Sequence, residues 1–232
     1  MLRISSLVLA AALPVTTAAT AQPHALDTAP SSHTSDSVAT GTSRATKTAP
    51  TKSPAISTFH DPAYKLAFDY PANWNFTQTD REISTFHLDA RSAPRNASMR
   101  AVAAMPENPY PLSTFSGAYI YFSVTPRSSE SACARQAAPP KAAGKKVSRA
   151  TSKVTVADIP FTHGHDDQHE VCTVQRDEVY TTLHRGACYR FDLAINNFCS
   201  QVSGAKDITD KELDQVRSRL ESILSTVRFD PK

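Results

Sequence analysis

The stretch Ala118 to Pro126, AYIYFSVTP, is apolar on both parities, with Ile120, Phe122 and Val124 on one side and Tyr119 and Tyr121 on the other. A strand of that kind must be covered on both faces, so the fold needs a layer above and a layer below its sheet. One covering element is legible at the C-terminus. In DITDKELDQVRSRLESILSTVRF, Thr209 and Glu212 form a capping box, and Ile208 and Leu213 stand at the hydrophobic-staple positions. Leu213, Val216, Leu220, Ile223, Leu224 and Val227 then recur on one helical face, with Lys211, Asp214, Arg217 and Glu221 on the other. The expected class is α+β: an antiparallel sheet flanked by helices, ending in an amphipathic helix.

The N-terminal quarter belongs to a different regime. Arg3, the apolar run Leu7 to Leu13, and Ala19-Thr20-Ala21 before Gln22 form the pattern of a secretory signal peptide cleaved after Ala21. Ser, Thr, Ala and Pro dominate residues 22–58, where Leu26, Val38 and Ile56 are the only larger apolar groups. Such a segment cannot bury enough surface to offset its ordering entropy and reads as a disordered linker. The folded domain is therefore expected over 59–232, and the protein in the periplasm or outside the cell. No later stretch approaches the roughly 20 apolar residues of a membrane helix. The net charge of +3 falls by one with the leader's Arg3, a balance too even for nucleic acid as the main partner.

Cys133, Cys172, Cys188 and Cys199 all fall in the domain, and an even count behind an export signal reads as disulfides. Four cysteines allow three connectivities; the pairing taken forward is Cys133 with Cys188 and Cys172 with Cys199. DEVYTTLHRGACYRFDLAI reads as a hairpin. A three-residue loop, His184-Arg185-Gly186, would align Val179 with Phe191 and Thr181 with Tyr189, keeping the apolar groups on one face. Arg190 and Asp192 then share the other face with Cys188, which should lie at a sheet edge or beneath a loop.

The stretch that looks most like a ligand set is FTHGHDDQHEV, residues 161–171. Extended, it would project His163, His165, Asp167 and His169 from one face, a plausible first shell for a divalent transition metal. Gly164 and Asp166-Asp167 are turn formers, however, and favour an exposed hairpin tip. A metal-binding protein or metallohydrolase is the alternative reading. None of the six glycines lies in a nucleotide-binding or nucleophile-elbow motif, and HExxH is absent. The basic run Lys141, Lys145, Lys146, Arg149 and Lys153 reads as a solvated loop.

YKLAFDYPANWNF, residues 64–76, resembles the opening of the PsbP-like superfamily, with Phe68, Tyr70, Pro71 and Trp74 at the matching positions. That superfamily includes the PsbP subunit of photosystem II, a Ran-binding nuclear transport protein and the exported bacterial DcrB family. The chain also resembles exported bacterial proteins with a CYRFDL-like strand, from which no activity carries over. The resemblance implies a PsbP-like α/β/α sandwich used as a binding or accessory module rather than a catalyst. With the export signal and the absence of a cofactor motif, the expectation is no cofactor and a partner among the proteins of the envelope.

Overall fold

The computed structural model describes residues 55–79, 94–138, 151–170 and 172–231. The expected leader and most of the expected linker lie outside the described residues, as do Lys141, Lys145, Lys146 and Arg149. Ile56, Ser57 and Thr58, at the end of the expected linker, belong to the first strand, β1 (Ile56–Asp61).

A seven-stranded, wholly antiparallel sheet forms the body. Its strands are β3 (Asn75–Thr77), β4 (Ser98–Ala104), β5 (Phe115–Thr125), β6 (Ser152–Val156), β7 (Ile159–Glu170), β8 (Thr173–His184) and β9 (Ala187–Phe198), in the order β3-β4-β5-β9-β8-β7-β6. A second sheet of three strands sets β2 (Leu66–Pro71) between β1 and β10 (Arg228–Phe229). The helices are α1 (Glu130–Gln136), the single turn α2 (Ser200–Ser203) and α3 (Asp210–Leu224).

Covering on both faces is what the double parity of β5 requires. Ile120, Phe122 and Val124 enter the main core with Phe191, Leu193 and the stripe of α3. Phe59 and Phe68 bring the small sheet onto the same face, with ring centroids 6.2 Å from Phe122. Tyr121 points the other way and is fully buried with Val102 and Ala194. Helix α1 covers part of that second face and is bonded to it through Cys133–Cys188, while Cys172–Cys199 ties the β7–β8 turn to the end of β9. The first bridge closes a separation of 55 residues, worth roughly 4 kcal/mol in the chain-entropy account.

Helix α3 carries the capping box in full: the Thr209 side chain accepts from the Glu212 amide, and Glu212 accepts from Thr209. Leu213, Val216, Leu220, Ile223 and Leu224 are its buried positions. At the opening motif, Trp74 is buried after a turn closed by its amide on the Pro71 carbonyl at 2.9 Å, and Tyr70 stacks on Phe76.

Two local expectations are corrected. The β8–β9 hairpin has the two-residue turn Arg185-Gly186, with His184 opposite Ala187 and Leu183 opposite Cys188. Both turn residues have positive φ, 48° and 74°, the geometry that follows the twist of the flanking strands. Sorting the apolar groups onto one face failed because both faces are covered: Tyr180 and Tyr189 look toward α3, while Val179, Thr181, Arg190 and Asp192 look toward α1. Arg190 and Asp192 therefore stand in the middle of the sheet, 1% and 0% exposed, with Arg190 Nε on the carboxylate at 2.9 Å. The second correction concerns residues 161–170, which continue β7 instead of forming a hairpin tip; the turn falls beyond Glu170. Gly164 is there for closeness, not for turning. A Cβ on it would lie 1.9 Å from the Ala137 carbonyl oxygen, just past α1.

Candidate functional site

With β7 extended, His163, His165 and Asp167 project from its α3-facing side, where β8 supplies Glu178. His163 Nε2 lies 2.7 Å from one Glu178 oxygen and His165 Nδ1 2.9 Å from the other. His165 Nε2 is 2.9 Å from Asp167. Arg217 of α3 reaches the same Glu178 oxygen at 3.5 Å and holds Asp214 at 2.7 Å, and His163 stacks on Tyr180. His169 lies further along the strand, opposite Val174, and its side chain lies outside the described residues.

The electrostatics follow from the geometry. Hydrogen bonds to Asp167 and then to Glu178 push His165 up to about 10, so its ring is an imidazolium donating from both nitrogens. Burial alone would raise Glu178, but the bonds from His163 and His165 hold it down at about 2. In this protonation state His165 has no lone pair to offer, and a divalent ion would have to displace a tightly held proton. Among the described residues, no group of three or more His, Cys, Asp or Glu is disposed to hold a metal ion. As arranged, the cluster ties β7 and β8 to α3. Glu178 and Arg217 were not visible as partners from the sequence, because the contact depends on β-register and on where a helix lands.

A second site lies at one end of the sheet. The β1–β2 loop, the β5–α1 connection and the β8–β9 turn surround an open hollow of about 590 Å³, with Lys65, Arg127 and Arg185 at its rim and Tyr64 and Tyr189 within it. Each of the three basic residues has a left-handed backbone, with φ of 54°, 52° and 48°. That conformation is uncommon outside glycine, and all three residues are exposed. The loops are sewn together beneath them. Asp61 accepts from the amides of Ala63 and Tyr64 and pairs with Arg100 at 2.6 Å, and Arg100 lies over the Tyr64 ring. The Tyr189 hydroxyl donates to the Tyr64 carbonyl at 2.9 Å, the Ser128 amide to the Gly186 carbonyl and the Asp230 amide to the Lys65 carbonyl. Among the described residues, no acidic residue lines the hollow. Among the described residues, none of the three basic side chains is hydrogen-bonded or ion-paired. Sequence reading missed this group because its members come from three separated loops; the only local signal was the Arg185-Gly186 turn.

No family model and no curated protein matches the chain. Solved structures to which it is similar include a protein of Bacteroides thetaiotaomicron at 13% identity and a TM-score of 0.41, covering 75% of this chain and 48% of that one. The chain thus spans about half the length of the Bacteroides protein. A PsbP-like protein is also among them: the cyanobacterial PsbP of Synechocystis, at 12% identity and a TM-score of 0.41, over 75% of this chain and 92% of that one. LpqN of Mycobacterium tuberculosis, described as involved in cell envelope biogenesis, is similar at 9% identity and a TM-score of 0.33, over 76% and 91%.

Proposed function

We propose that the protein is an exported, non-catalytic binding or accessory module of the cell envelope, and that it meets a protein partner through the loop end bearing Lys65, Arg127 and Arg185. The leader pattern and the linker-like segment support export and reach, and the two disulfides suit an oxidising compartment. Among the described residues, no helix is long and apolar enough to cross a membrane. The observation that carries the reading is the contrast in charge. Among the described residues, His163, His165 and Glu178 are bound to one another against α3, while the exposed rim cations stand on loops tied together by hydrogen bonds. A photo-reactive residue at the exposed position 63, inside the hollow, should give one discrete adduct in the envelope, and the same residue at position 211 on the outer face of α3 should give none. Adducts of equal yield from both positions, or none from either, contradict the proposal.

The competing reading is a metal-binding protein or metallohydrolase using His163, His165, Asp167 and His169, of which the first three share one face of β7. Elemental analysis of the purified mature protein beside a His163→Ala/His165→Ala variant decides it. The binding-module reading expects sub-stoichiometric metal in both; one equivalent lost in the variant would replace that reading.

A further inference from the structure

We infer that the hollow between Lys65, Arg127 and Arg185 receives an acidic peptide segment of a partner protein, each cation taking a carboxylate. The inference rests on the reading of the protein as a binding module and names what that module holds. Three observations specify the ligand. Among the described residues the rim carries three cations and the lining no acid, so the site attracts negative charge and repels positive. Two of the cations are arginines, whose planar fork suits a carboxylate in bidentate fashion. They stand on three separate loops around about 590 Å³, an arrangement that suits several carboxylates spaced along a chain better than one compact oxyanion. The half-buried Tyr64 ring in the lining offers apolar surface to the peptide between its charges, packed edge-on against the buried Tyr189 ring behind it.

A bilayer fits less well. Among the described residues the exposed large apolar ones are Ile56, Leu112, Leu183 and Phe198, and none of these lines the hollow or could enter an acyl layer there. Preorganisation favours the peptide further. The hydrogen bonds to Asp61 and those from Tyr189 and Ser128 already tie the three loops, so little ordering remains to be done on binding.

The test uses the mature full chain, residues 22–232, and a fluorescein-labelled hexaglutamate peptide, with hexaglutamine and phosphatidylglycerol/phosphatidylcholine vesicles as separate arms. Lys65→Asn/Arg127→Asn/Arg185→Asn empties the rim, and Asn is the non-glycine residue best suited to the left-handed backbone at all three positions. Lys206→Gln/Lys211→Gln/Arg219→Gln removes the same charge elsewhere. Hexaglutamate should bind the native chain with an affinity that falls with salt. Affinity should drop at least tenfold in the rim variant, with a shallower salt dependence, and stay within twofold in the control. Equal loss in both variants, no loss in the rim variant, binding to vesicles but not peptide, or no peptide binding at low salt would each overturn the inference. If the peptide fails while the position-63 adduct persists, only the ligand class falls. If the peptide binds and no adduct forms, the reading of a partner-binding module falls.

Discussion

Strand β8 carries Glu178 in its length and runs out into Arg185 at its turn, and the two charges have opposite settings. Glu178 is met from every side by His163, His165 and Arg217, so its charge is cancelled within the fold. Arg185 shares an open rim with Lys65 and Arg127, and among the described residues no acid lines that hollow. The difference separates charges that hold the structure together from charges that the structure displays, and residue type alone does not make that distinction. Buried deeper still, Arg190 and Asp192 are the extreme of the first kind.

Substitutions should sort along that divide. The largest loss is expected for Asp192→Ala, which leaves Arg190 buried without its main counter-charge; about 3–5 kcal/mol should disappear from the urea-unfolding free energy. Glu178→Ala removes the carboxylate that His163 and His165 hydrogen-bond and that Arg217 faces as an ion pair, and since those partners are partly exposed the cost should be roughly 1.5–3 kcal/mol. Loss of stability below 0.5 kcal/mol in that variant would remove Glu178 from the structural group.

The same cluster fixes a pH window. Glu178 is lowered from 4.5 to about 2, so its contribution is complete above pH 4.5 and fades as pH falls toward 2. His165 is raised from 6.5 to about 10, so its contribution is complete below pH 6.5 and fades as pH rises toward 10. Stability of the native chain minus that of a His165→Gln/Glu178→Gln variant should therefore peak between about pH 4.5 and 6.5 and decline on both sides. A difference that stays flat from about pH 2 to about pH 10 would show that the cluster does not stabilise the fold. The rim variant should show the smallest change, within about 0.5 kcal/mol of the native chain.

What the sequence made legible was set by how local the cause is. Helix α3 could be read to its cap because Thr209, Glu212, Ile208 and Leu213 act within two turns. The two covered faces could be read from β5 because parity is a property of one strand, and both bridges of the expected pairing are formed. The β8–β9 register was misread because the one-sided apolar rule ignores a second buried face in which Arg190 and Asp192 satisfy each other. Residues 161–170 were misread because Gly164 and Asp166-Asp167 favour turns locally. In the folded chain, pairing with β8 and the close approach of Ala137 decide otherwise. The rim was invisible because it exists only once three loops are brought to one end of the sheet.

The most direct test of the division between structural and displayed charge measures unfolding free energy and partner adduct yield on the same two proteins, Glu178→Ala and Lys65→Asn/Arg127→Asn/Arg185→Asn. The first should lose stability and, under conditions where it remains folded, keep the position-63 adduct; the second should keep its stability and lose the adduct. The reverse outcome, a destabilised rim variant that still forms the adduct, would contradict the account.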